Sequence, residues 1–200
     1  MKGVRPAVAA LTVAVAVTAC GNTENGRMTA GGSPASPPPS SSTDSAAPSM
    51  SASSSASALS AQDQAWLVSA HQADLAEIKA GRLAEQKGTD QKVRDIGTML
   101  VKDHTAFDQK LTAAASAAGV KLPDAPTEEQ AKKAAELGQK QGKEFDVLFL
   151  ADMTAAHSKA IAEGRTEETK GQSPQVVALA KEAGPKLQQH LDAIKKAAGS

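Results

Sequence analysis

Glu77, His104, His157 and His190 are the residues of this 200-residue sequence whose types and spacing could do chemistry. Each interrupts an apolar stripe with helical spacing, one per long segment. Neutral imidazoles and an ionised carboxylate are ligands for zinc, copper or iron ions. A buried glutamate needs a partner in any case, and a histidine would serve without a metal. Two readings therefore stand. One is a metal ion held in a helical core. The other is a non-enzymatic envelope interaction or structural module whose polar core only fixes helix register.

The stripes locate these residues. Trp66, Ala70, Ala73, Glu77, Gly81 and Ala84 recur in steps of three and four, as do Val93, Ile96, Leu100, His104, Phe107, Leu111 and Ala114. Leu150, Met153, His157 and Gly164 share a third face, and Ala180, Ala183, Leu187, His190 and Ile194 a fourth. Pro185 is expected to kink the last segment one turn before His190. Counted from the two short turns at about 1.5 Å per residue, all four polar residues fall near mid-helix, within about one turn of a common level.

The elements that must position them are four segments, about 61–87, 89–118, 143–169 and 173–198. Gly88-Thr89-Asp90 joins the first pair and Lys170-Gly171-Gln172-Ser173-Pro174 the second, both short enough to force antiparallel neighbours. Pro174 suits the first turn after a Ser173 cap. The middle connection, 119–142, is long, and Thr127-Glu128-Glu129-Gln130 starts a short helix within it by a capping box. Alternating strand patterns are scarce. The expected fold is all-α: a ferritin-like four-helix bundle with a long crossover from the second to the third bundle helix, the alternative being an up-down-up-down bundle with a decorated loop.

Several neighbours could support the core residues. Asp108, one turn after His104, is the expected orienting carboxylate, with His71 either flanking the site or pairing with Asp74 at the surface, the latter favoured. Asp103 and Asp152 read as solvated helix-face acids, and Met153 as packing rather than a soft copper ligand.

Gln72-Ala73-Asp74-Leu75-Ala76-Glu77-Ile78, Met99-Leu100-Val101-Lys102-Asp103-His104, Phe145-Asp146 with Asp152-Met153 and His157, and Leu187-Gln188-Gln189-His190-Leu191 together resemble the bacterial family of unknown function DUF4142. Members of that family carry an outer-membrane label and are grouped with ferritin-like folds. The resemblance covers 61–198, implies the bundle fold, and matches Glu77, His104, His157 and His190 to the family's polar core positions. It implies no activity. His71, the alanine content and the N-terminus look like actinobacterial members. The chain departs from di-iron ferritin-like sites, which need Glu-x-x-His: the residues three before the histidines are Val101, Thr154 and Leu187. A mononuclear, imidazole-rich site fits better than a ferroxidase.

The N-terminus reads as an address. Lys2 and Arg5 precede an apolar run from Ala7 to Val17, and Val17-Thr18-Ala19-Cys20 resembles a bacterial lipobox, so cleavage after residue 19 and lipidation of Cys20 are expected. That places the protein outside the cytoplasm, on the outer face of a membrane, its partner through the Cys20 lipid. Residues 20–60, rich in Ser, Ala and Pro, read as a disordered tether, and 61–200 as the bundle domain. Loss of 1–19 leaves 20 basic against 22 acidic residues.

Composition excludes several other functions. Charges of both signs are interspersed, and only four aromatic residues are present, so neither a nucleic-acid surface nor a sugar shelf is expected. A single cysteine rules out an internal disulfide. No nucleophile elbow, phosphate loop or His-Glu-x-x-His motif is present, and no catalytic residue is assigned.

Overall fold

A computed structural model of the chain describes residues 59–199; the expected signal segment, Cys20 and nearly all of the expected tether lie outside them. Five helices follow one another: α1 (Ala61–Lys87), α2 (Gln91–Ala117), α3 (Glu128–Gln139), α4 (Gly142–Lys170) and α5 (Pro174–Ala198), with no strand among the described residues. Around the bundle the neighbours run α1, α2, α5, α4, while α3 lies against α1 and α4. The all-α bundle with a helix-bearing crossover is the architecture that the periodicity predicts. None of the described helices is long and apolar enough to cross a membrane.

Local chemistry sets the helix ends. Ser60 and Asp63 form a capping box at the start of α1, and Thr127 and Gln130 form another at α3. Asp90 and Ser173 cap α2 and α5, with Pro174 in the first turn, where its missing N–H costs nothing. Thr89 therefore belongs to the turn rather than to α2. Gly119 ends α2 with φ of +68°, and the Val120 N–H reaches back to the Ala115 carbonyl at 2.8 Å. This left-handed closure would strain any residue with a Cβ. Helix α5 continues through Pro185 to Ala198.

The two hairpins, α1–α2 and α4–α5, repeat one pattern at an offset of 83 positions. Asp63, Trp66, Leu67, Gly81, Lys87, Gly88, Val93 and Leu111 correspond to Asp146, Phe149, Leu150, Gly164, Lys170, Gly171, Val176 and Ile194. The first pair shows why the repeat is structural. Asp63 accepts from the backbone N–H groups of Gln172 and Ser173 at 2.9 and 3.0 Å, clamping the α4–α5 turn. Asp146 accepts from those of Thr89 and Asp90, both at 3.0 Å, and from the Thr89 hydroxyl, clamping the α1–α2 turn. Each hairpin thus holds the other's turn, and the interior acids are satisfied by backbone donors. For Asp63 burial works upward, but hydrogen bonds, first from the Ser60 hydroxyl and then from the Ser173 and Gln172 N–H groups, outweigh it and bring the carboxyl down to about 2.

Packing differs between the hairpins. A Cβ on Gly81 would stand 2.8 Å from the Gly97 carbonyl oxygen, so α1 and α2 touch backbone to backbone. At the equivalent Gly164 no atom beyond its own turn of helix lies within 4 Å of that position. Two apolar clusters fill the bundle. One gathers Leu100, Phe145, Phe149 and Ile194, and the other Trp66, Leu67, Leu111 and Val176. Neither cluster includes the histidines or Glu77.

Candidate metal centre

Glu77 from α1, His104 from α2, His157 from α4 and His190 from α5 meet inside the bundle, with exposures of 2, 4, 0 and 1%. The three imidazole rings form a nearly equilateral triangle, with centroids 5.5, 5.3 and 5.4 Å apart. One ring nitrogen from each lies within 4.8 Å of the others. Glu77 Oε2 approaches His104 Nε2 at 2.8 Å and His157 Nε2 at 3.7 Å. The 2.8 Å approach lies off hydrogen-bonding directions, so both Glu77 oxygens and His104 Nε2 lack a hydrogen-bond partner.

What holds the rings is as informative as what they surround. His104 Nδ1 lies 2.7 Å from Asp74 Oδ1, His157 Nδ1 lies 3.0 Å from the Met153 carbonyl oxygen, and His190 Nε2 lies 3.0 Å from Asp103 Oδ2. Each of these oxygens can only accept, or accepts in its ionised form, so each of these nitrogens donates. In His157 and His190 the second nitrogen is thereby left to carry the lone pair. His157 Nε2 and His190 Nδ1 face each other at 3.3 Å. Outer partners that fix the tautomer and orientation of imidazoles are what a histidine metal site requires.

Burial penalises every charge in this layer. Against it, Glu77 foremost and Asp74 hold His104 protonated, up to about 10. Burial also pushes Glu77 upward, but His104 and then His157 outweigh it, and its carboxyl falls to about 2. In Asp74 burial prevails and the carboxyl rises to about 6. Burial pushes His157 down, and His190 to about 4 in spite of Asp103. Two neutral imidazoles, a carboxylate and one imidazolium that a cation could deprotonate make a ligand set for a divalent ion.

With the geometry in place, comparison with known proteins adds the family. The profile of the domain of unknown function DUF4142 matches residues 48–197. The chain belongs to that family. No curated protein sequence matches it. Among solved structures, this DUF4142 chain is similar to a DUF305 fragment from Deinococcus radiodurans, with a TM-score of 0.63, 14% identity, and coverage of 70% of this chain and 97% of that one. It is also similar to CopM in its Cu(I)-bound form, with a TM-score of 0.56, 15% identity, and coverage of 67 and 93%. At these identities the likeness is one of fold.

Other expectations need correction. His71 does not pair with Asp74 at the surface. It is 8% exposed, with Nδ1 2.5 Å from Asp108 Oδ1 and Nε2 2.8 Å from the Pro123 carbonyl oxygen. Asp74 turns inward instead, three residues before Glu77 and on the same side of α1. Asp108 consequently serves His71 and the crossover, and the carboxylate orienting His104 is Asp74. Asp103 is not merely solvated, since it bridges His190 and Lys186, the latter at 3.5 Å. Asp152 is half-buried and lines a cleft against α3, away from the rings. Spacing could have found Asp74, which shares the face of Glu77. Nothing in α2 alone points Asp103 at a histidine of α5.

Proposed function

We propose that this DUF4142 chain binds one divalent metal ion, zinc or copper(II), through His104, His157, His190 and Glu77. One observation carries the reading: all three imidazoles donate their outer N–H to a fixed acceptor, their inner nitrogens lie within 4.8 Å of one another, and those of His104 and His157 meet a buried carboxylate whose oxygens have no hydrogen-bond partner. Three nitrogens and one oxygen favour zinc, copper(II) or iron(II) over soft copper(I), and the fourfold count with no second carboxylate argues against a di-iron centre. Bonds near 2.0–2.1 Å would draw the nitrogens slightly inward from their present spread. The bundle, tethered through a lipidated Cys20 on the outer membrane face, would then serve as an extracytoplasmic metal-binding protein with no catalytic role assigned.

The second reading retains a specific support. His104, paired with both Asp74 and Glu77, can close the core as an ion-pair network that fixes register without metal. Tag-free chain, purified and analysed by metal mass spectrometry with melting followed in the presence and absence of chelator, separates the two. The metal reading expects about one equivalent per chain, lost in His104→Ala and His157→Ala. A metal-free chain whose melting temperature ignores a roughly hundredfold excess of zinc or copper(II) would leave the register reading.

A further inference from the structure

The start of α1 meets the end of α4 through two acids, Asp63 and Glu167, both 0% exposed. Asp63 is surrounded by donors. Its Oδ1 accepts from the Gln172 and Ser173 N–H groups, and its Oδ2 from the Ser60 N–H at 3.2 Å and the Ser60 hydroxyl at 2.5 Å. Four donors hold this carboxyl in its ionised form. Glu167 is placed differently. Its Oε2 accepts from the Gln62 side-chain amide at 3.0 Å, while no neighbouring group donates to its buried Oε1. The two acid side chains nonetheless lie within hydrogen-bonding reach of each other. Carboxylate oxygens only accept, so a contact between two of them needs a proton, and the donors around Asp63 leave that proton to Glu167.

The surroundings are built for this contact. A Cβ on Gly171 would collide with Glu167 Oε1, so the carboxyl fits against the turn because position 171 has no side chain. Of the elements packed here, α1 presents Asp63 and the uncharged Gln62, and α5 presents Val177 beside Gly171. Neither acid is ion-paired with a lysine, arginine or histidine among the described residues. At the 83-position offset Glu167 corresponds to Ala84, so Asp146 clamps the opposite turn with no second acid beside it.

We infer that Glu167 keeps its proton at pH values where a free glutamic acid is ionised, and that the proton it shares with Asp63 locks α1 to the α4–α5 turn as a pH-sensitive switch. Burial foremost, with Asp63, raises the Glu167 carboxyl above its ordinary 4.5 in spite of the Gln62 amide. Loss of the proton leaves two carboxylates facing each other in a buried site, and the hold of Asp63 on the turn weakens. With the folded value raised, the stabilisation is complete below about 4.5 and is lost as the pH rises through the folded value. The lock requires no metal and is independent of the metal reading.

Denaturant unfolding of the full chain and of Glu167→Gln, followed from about pH 4.5 to about pH 9, tests it. The glutamine amide can donate to Asp63 at every pH while its oxygen accepts from Gln62. The variant should therefore gain on the wild type as the pH rises, by up to about tenfold in the unfolding constant per pH unit, until Glu167 ionises. The Gln172 and Ser173 amide resonances should pass through an inflection above 4.5 in the wild type that is absent from the variant. Should the variant fail to fold, carbon NMR of the Glu167 carboxyl in the wild type decides alone, and titration above 4.5 supports the lock. Parallel pH profiles for wild type and Glu167→Gln, or a Glu167 carboxyl that titrates at or below 4.5, would overturn it.

Discussion

In the α1–α2 hairpin the residues that face the polar layer are Asp74, Glu77, Asp103 and His104, whereas the α4–α5 hairpin supplies only His157 and His190. At the repeat offset, Asp74 corresponds to His157, Glu77 to Ala160, His104 to Leu187 and Phe107 to His190. The features that build the scaffold recur in both halves: turn clamps, turn glycines, and the valine after each turn. Those that carry chemistry do not. One hairpin supplies acids that orient rings and hold protons, and the other supplies lone pairs. Neither alone assembles three imidazoles and a carboxylate, so a symmetric frame holds an asymmetric ligand set.

Breaking the frame should have the largest effect. Asp63→Ala and Asp146→Ala each remove a buried acceptor of two backbone N–H groups, and each should cost about 2–4 kcal/mol in urea unfolding. A large loss in one and none in the other would break the equivalence of the hairpins. Asp63 also predicts a pH dependence. Its folded value of about 2 lies below the ordinary 3.8, so its contribution is fully present above about pH 4 and disappears as the pH falls through 2. Acid titration of Asp63→Asn should lack that segment.

Next comes the link between the halves. Asp103→Asn keeps the shape but weakens the acceptor for His190 Nε2, and metal affinity should fall by roughly 10- to 100-fold with little change in apo stability. Competition titration against a chelating dye measures it. An unchanged affinity would mean that α2 does not orient the α5 imidazole.

The smallest effects test the packing contrast and should differ in sign. Gly81→Ala forces a methyl against the Gly97 carbonyl and should cost about 1–2 kcal/mol. At the equivalent position, Gly164→Ala meets nothing and should gain about 0.5–1 kcal/mol from helix propensity. Thermal melts of the two variants that move in the same direction would contradict a close first hairpin beside a looser second one.

The bundle was legible in the sequence because its signals are local. Three- and four-residue periodicity, Gly88, Gly171, Ser173-Pro174 and the Thr127 capping box mark elements and ends without knowledge of their neighbours. The inward placement of Glu77, His104, His157 and His190 follows from the same stripes. Their partners were harder to read, because a helix shows which side is apolar and not which flanking charge another helix will cover. Asp103 looks solvated until α5 brings His190 to it. His71 looks exposed until Pro123, in a crossover without periodicity, comes over it. The 83-position repeat was present in the sequence as well, but its matches are scattered glycines, lysines and valines, and only the paired turn clamps give them meaning.

X-ray absorption at the zinc edge of the zinc-loaded full chain tests the central claim most directly. The account predicts a four-ligand nitrogen and oxygen shell at about 2.0–2.1 Å, with outer scattering from three imidazoles. A shell with sulfur, or with no more than one imidazole, would contradict it.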